Sequence, residues 1–173
     1  LRGDVERAAS CFQKSSDVSG INAAGGHLVP VGRQTVALVD VALDAAAQTQ
    51  GLVDPTVGAH LVHCGYAGDI LIVRDRLVAV PEGPAPHRAD WQSVHLDHEL
   101  SRVGLPVGLA LDLGATAKPW TADVAAHGIA ASLGTGVLVE IGGDVAVAGR
   151  KTSPWQILVS EKAGQLGEQV GLT

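Results

Sequence analysis

Leu111-Asp112-Leu113-Gly114-Ala115-Thr116-Ala117-Lys118 is the stretch on which the fold of this 173-residue chain turns, with Asp123 five residues beyond the lysine. Leu109 to Leu113 is apolar and reads as a strand. Gly114 permits a sharp exit from it, and Lys118 to Leu133, rich in alanine, reads as a helix. Strand, turn and helix start bring a carboxylate (Asp112), a small-residue backbone and one cation (Lys118) together. A helix start offers unpaired N–H groups and the positive end of a dipole, which suits an anion. The same spacing also describes an ordinary strand–turn–helix with a surface lysine, because short glycine motifs match by chance.

Upstream of this stretch, Leu52-Val53-Asp54-Pro55-Thr56-Val57-Gly58 reads as a turn. Pro55 holds Asp54 out of helical geometry, and its carboxylate is left to cap the turn or to meet a ligand. Thr35 to Thr49 is the clearest helix. Val36, Val39, Leu43 and Ala46 share a face, and Gly51 is the stop signal. Leu1 to Phe12 reads as the end of a helix, and Ser15 to Gly26 as a polar, glycine-rich loop. Ile70–Val73 and Leu77–Val80 read as short β elements, and Pro81 to Pro86 as a loop. Trp91–Leu96 and Glu99–Leu105 read as a hairpin around Asp97-His98.

Downstream, Trp120, Val124 and Ala131 fall near one face of the helix. Gly136–Ile141 and Asp144–Gly149 are β runs joined by Gly142-Gly143, which can take the positive φ of a tight hairpin. Trp155–Val159 is the last expected strand. No repeat or low-complexity linker divides the chain. The pattern predicts an α+β fold, a mixed β-sheet with packed helices, as a single domain.

Composition narrows the function. Apolar residues make up 46% of the chain, which supports a real core, and only 17% are charged, which argues against disorder. A chain of this length buries roughly 70% of its extended surface. The net charge of −6 and twelve scattered Lys and Arg give no nucleic-acid surface. No apolar run reaches the ~18–20 residues that cross a bilayer. Cys11 and Cys64 lack CxxC spacing and read as buried small apolar residues, with a disulfide between them the less favoured alternative. The seven histidines hold no HExxH. His60 and His63 read as surface or capping groups, not a zinc site. GxSxG, Walker A and GxGxxG motifs are absent.

Taken together and in this order, the Val53–Gly58 turn, the Asp112–Lys118 stretch and Ile141-Gly142-Gly143-Asp144 resemble the ApbE family, the FAD:protein FMN transferases. The resemblance runs from about Phe12 to Val159. It implies an ApbE-like, T-fold-related domain over residues 1–173 that is incomplete at both ends. The chain contains no Met, so an N-terminus further upstream is expected. Relatives continue for roughly another hundred residues by the usual size of such enzymes. That part carries a histidine near the flavin and an Asp/Thr pair completing the metal site, so a missing remainder is expected.

The resemblance also implies residue roles. The acid matching Asp112 and the lysine matching Lys118 contact FAD. The carbonyl matching Ala115 is a metal ligand, a sensible hard oxygen donor for Mg²⁺. Leu52, Val53 and Asp54 line the flavin site. An aromatic matching Phe12, the single Phe of the chain, faces the flavin, and Ser19 and Asn22 match a Ser-x-x-Asn element. The Gly142-Gly143 hairpin helps shape the nucleotide pocket. Three positions depart from the family. Pro119 stands where Gly is usual; it suits a first helical position but removes a phosphate donor. Val53 stands where an aromatic is common. Glu140 stands where a small polar residue is common, and its charge would repel a pyrophosphate unless it faces away or binds metal.

The implied activity is Mg²⁺-dependent transfer of FMN from FAD, with release of AMP, to a Thr or Ser of a partner flavoprotein through a phosphodiester, in a bacterial protein. Residues acting directly on the reacting bonds are not identified. The alternatives are a non-catalytic FAD- or FMN-binding module, and a Mg²⁺-dependent FAD pyrophosphatase giving FMN and AMP. Many family members work outside the cytoplasm on a lipid anchor. No such signal is visible here, so the compartment stays open between cell envelope and cytoplasm.

Overall fold

The computed structural model describes residues 2–66, 84–160 and 164–172. The chain divides into two compact units, Leu1–Ala117 and Lys118–Thr173. The expected β elements Ile70–Val73 and Leu77–Val80 lie outside the described residues, as does the first half of the Pro81–Pro86 loop.

In the first unit helix α1 (Arg2–Ala9) packs against α2 (Asp17–Ala23) and against α3 (Arg33–Gln48). α3 is the helix expected from periodicity. Its buried face is Thr35, Leu38, Val39, Ala42 and Ala46, turned slightly from the expected stripe, since Val36 and Leu43 are only half-buried. Gly51, at φ 82°, ends the segment.

α2 corrects the reading of Ser15 to Gly26 as loop. Ser16 is its N-cap, accepting from Ser19 N at 3.0 Å. Val18 and Ile21 are buried. Asp17 Oδ2 accepts from Gly32 N at 2.8 Å and from Thr35 Oγ1, which ties the start of α2 to the start of α3.

Strands β1 (Val29–Pro30), β2 (His95–Asp97) and β3 (Arg102–Gly104) form an antiparallel sheet in the order β1-β3-β2. β2 and β3 are the expected hairpin, with Asp97 paired to Arg102 and its carboxylate accepting from Leu100 N at 2.9 Å. Trp91–Ser93 is a 3₁₀ turn, not the start of that strand. A short helix, α4 (Gly58–His63), follows the Asp54 turn.

The segment Leu109–Leu113 is not a strand. It makes one parallel bridge, Val57 to Ala110. Gly58 N donates to Ala110 O at 2.9 Å and Asp112 N to Pro55 O at 2.8 Å. On the other side the Asn22 amide pairs with Leu111: its Nδ2 donates to Leu111 O at 3.0 Å and its Oδ1 accepts from Leu111 N at 2.7 Å. A side chain thus occupies the place a neighbouring strand would take. Gly58 is required by contact, since a Cβ there would lie 2.8 Å from Ala110 O.

Helix α5 (Gly114–Leu133) begins four residues before its expected start, and its residues from Lys118 onward belong to the second unit. Within that unit Ala122 and Ala126 pack with Ala146 of strand β5 (Asp144–Ala148). Alanines at a spacing of four let strands approach closely. The expected face, Trp120, Val124 and Ala131, is not the buried one: Val124 is 40% exposed. β4 (Val137–Ile141) and β5 (Asp144–Ala148) are the expected hairpin, with Ile141 paired to Asp144. Gly142 and Gly143 take φ 62° and 98°, as a two-residue primed turn demands. β6 (Trp155–Val159) was expected. Its antiparallel partner β7 (Glu168–Leu172) was not.

Candidate functional site

In the first unit a cavity of about 150 Å³ opens where the Leu111 segment meets α4; Cys11, Phe12, Asn22, Leu61, Tyr66 and Asp112 line it. Phe12 is 47% exposed, so it is not a core residue. It meets Tyr66 edge to face, with ring centroids 5.5 Å apart and planes at 71°. Two of the residues predicted from sequence, Phe12 and Asp112, therefore share one pocket. Tyr66 was missed, and Cys11 and Cys64, expected to be buried, are both exposed free thiols. Tyr66 is the single Tyr of the chain, and no pattern linked it to Phe12 across the intervening helices.

Asp112 is held in place at the head of α5. Its Oδ1 accepts from Gly114 N at 2.8 Å. The Cys11 thiol bonds to the same carboxylate. Partial burial of the thiol, then the Asp112 charge and this hydrogen bond, push its pKa up to about 11. Cys11 is therefore a protonated donor at neutral pH, not a nucleophile.

The start of α5 differs from the expectation of free N–H groups. Gly114 N is taken by Asp112, and Thr116 N and Ala117 N both donate to Leu113 O. Lys118 is the fifth helical residue and Pro119 the sixth, not the first. An interior proline lacks the N–H that would bond the carbonyl four residues back. That carbonyl belongs to Ala115, an exposed residue. The helix thus offers a carbonyl oxygen at the position the resemblance marks for metal.

Leu52, Val53 and Asp54 do not line the cavity. Leu52 is 91% exposed, and Val53 N donates to Thr49 Oγ1 at 3.0 Å. Asp54 Oδ1 accepts from Thr56 N at 2.8 Å and Thr56 Oγ1 at 2.6 Å. Buried Thr56 in turn accepts from Asp90 N at 2.8 Å. Asp54 therefore caps its own turn.

In the second unit Lys118 lies over the β4–β5 turn. Its Nζ is 3.7 Å from Asp144 Oδ2, and a Cβ on Gly142 would meet it at 3.7 Å. Glu140 turns back on the hairpin, where its Oε1 accepts from Gly143 N. One oxygen of its carboxylate is thus taken by a backbone donor.

Among the described residues no group of three or more His, Cys, Asp or Glu is arranged to hold a metal, and no helix is long and apolar enough to cross a membrane.

Known proteins of similar sequence and fold identify the family. The sequence is 33% identical over 154 residues to an FAD:protein FMN transferase of Treponema pallidum, covering 84% of this chain and 41% of that protein. A second FAD:protein FMN transferase, from Vibrio cholerae, is 28% identical over 165 residues, covering 93% of this chain and 48% of its own. The chain thus spans less than half the length of these curated relatives. The ApbE protein of Thermotoga maritima superposes with a TM-score of 0.78 at 27% identity, over 98% of this chain and 56% of that one. The apo flavinyl transferase ApbE of Pseudomonas stutzeri gives 0.77 at 27% identity, over 98% and 54%. The sequence pattern of the ApbE family matches residues 3–172, nearly the whole chain. With three motifs in order, an α+β fold shared with solved relatives and a match of this extent, the chain belongs to the ApbE family.

Proposed function

We propose that the protein containing this chain is a Mg²⁺-dependent FAD:protein FMN transferase. The observation that carries the reading is the cavity of the first unit, where two aromatic rings stand beside Asp112 in a chain of this family. A space of this size takes about one six-membered ring, so a flavin would enter by an edge, with Phe12 and Tyr66 as its apolar contacts. Leu52, Val53 and Asp54 stand at a turn outside the cavity, and their part in flavin binding is an outer one. Residues 1–173 would serve as one functional domain.

In this reading the hydroxyl of a Thr or Ser on an acceptor flavoprotein attacks the FMN-side phosphorus of FAD. The new O–P bond forms as the P–O–P bridge breaks. AMP leaves, and FMN remains attached through a phosphodiester. The chain's contribution is mainly positioning and charge stabilisation. Lys118 supplies a point charge for phosphate oxygens. Asp112, fixed by Gly114 N and Cys11, is a rigid acceptor for the ligand. Mg²⁺, when bound, supplies neutralisation of pyrophosphate charge. The Ala115 carbonyl, freed by Pro119, fits as one oxygen ligand for it.

The test uses the full-length protein with FAD, Mg²⁺ and a peptide bearing the acceptor threonine, read by mass spectrometry. A covalent FMN adduct that requires Mg²⁺ and is lost in Lys118→Ala and Asp112→Ala is expected. Free FMN and AMP without adduct would instead identify a pyrophosphatase. Bound FAD without any product would identify a binding module.

A further inference from the structure

The β4–β5 hairpin carries two carboxylates around its glycine turn, and they are not equivalent. Glu140 bonds to the turn itself, through Gly143 N. Asp144 instead faces the ammonium of Lys118 at 3.7 Å. Both ends of this pair are partly exposed, the lysine side chain by 52% and the aspartate by 36%. The lysine stem lies along Gly142, where a Cβ would fall 3.8 Å from its Cδ. An exposed pair of this kind shifts an equilibrium by at most about fivefold, so it does little for folding. It does decide where the cation rests and what any anion must displace to reach it.

We propose that Asp144 is the built-in counter-ion of Lys118 and a determinant of ligand charge. An incoming diphosphate takes the ammonium from Asp144, whereas a less charged monophosphate competes less well with a carboxylate already in place. This rests on the assignment of Lys118 to the pyrophosphate.

The experiment is calorimetric titration of the full-length protein with ADP, then AMP, for the unaltered protein, Asp144→Asn, Lys118→Ala and the double variant. Unfolding in urea is measured for each. Asp144→Asn should tighten ADP two- to fivefold and narrow the preference for ADP over AMP. Lys118→Ala should weaken ADP, and in that background Asp144→Asn should change nothing. If Lys118→Ala weakens ADP but Asp144→Asn leaves it unchanged or weakens it too, the counter-ion role is overturned and the pyrophosphate assignment stands. If a folded Lys118→Ala binds ADP as before, the pyrophosphate assignment fails and the counter-ion role fails with it.

Discussion

Cys11 and Asp112 show what one residue can set for another. The thiol pKa is raised from 9.0 to about 11 by burial and by the Asp112 carboxylate. The folded state therefore favours the neutral thiol. Its contribution to stability is fully present below about pH 9 and is lost as pH rises through about 11. Iodoacetamide labelling of Cys11 should climb toward half-maximal rate near pH 11, and Asp112→Asn should move that midpoint down. At the other wall of the cavity, Phe12→Ala should weaken FAD by losing ring contact, about 0.5–1.5 kcal/mol beyond the area lost, measured by fluorescence titration. Sequence could nominate Phe12 and Asp112 because they sit within recognisable motifs. It could not nominate Tyr66, whose pairing depends on how the helices return.

At the scale of elements, the proposed role of the Ala115 carbonyl sets stability against Mg²⁺ binding at Pro119. Pro119→Ala restores the N–H that the Ala115 carbonyl lacks and should stabilise the protein by up to about 3 kcal/mol. The same change should weaken Mg²⁺ binding, because the carbonyl becomes engaged in the helix. Urea unfolding and Mg²⁺ calorimetry would read the two effects with opposite signs. Gly58→Ala should cost about 1–3 kcal/mol, since its Cβ meets backbone that cannot easily yield. Helix α3 and the β2–β3 and β4–β5 hairpins were legible because periodicity and turn residues are local signals. The strand expected at Leu109–Leu113 failed because its partner on one side is Asn22, 89 residues away in sequence. Helix α2 was hidden for a related reason. Its Ser, Asp and Gly content reads as loop, yet Ser16 caps it and Val18 and Ile21 anchor it.

Over the whole molecule, the motifs fixed the family but not the division of the chain. Nothing in composition marks a boundary after Ala117, because it falls inside a continuous helix. The α+β class was legible from alternating periodicities, and strand β7 was not, since Glu168, Gln169 and Gly171 leave it little apolar pattern. Binding should be visible at this scale as well. FAD at one hundred times its dissociation constant should add about 2.7 kcal/mol to the stability of the full-length protein. Urea midpoints with and without FAD would measure this, and the gain should shrink in Phe12→Ala at the same FAD concentration.

The Asn22 amide that stands in for a strand makes the rim of the cavity depend on a single nitrogen atom. Hydrolysis of that amide, the slow chemical ageing to which asparagines are subject, would put a carboxylate oxygen against Leu111 O where a donor now sits. Attraction would become repulsion without any change in shape. Asn22→Asp mimics the aged form and should lose about 1–3 kcal/mol, more at pH 8 than at pH 4. The rim of this cavity therefore depends on one side chain remaining an amide.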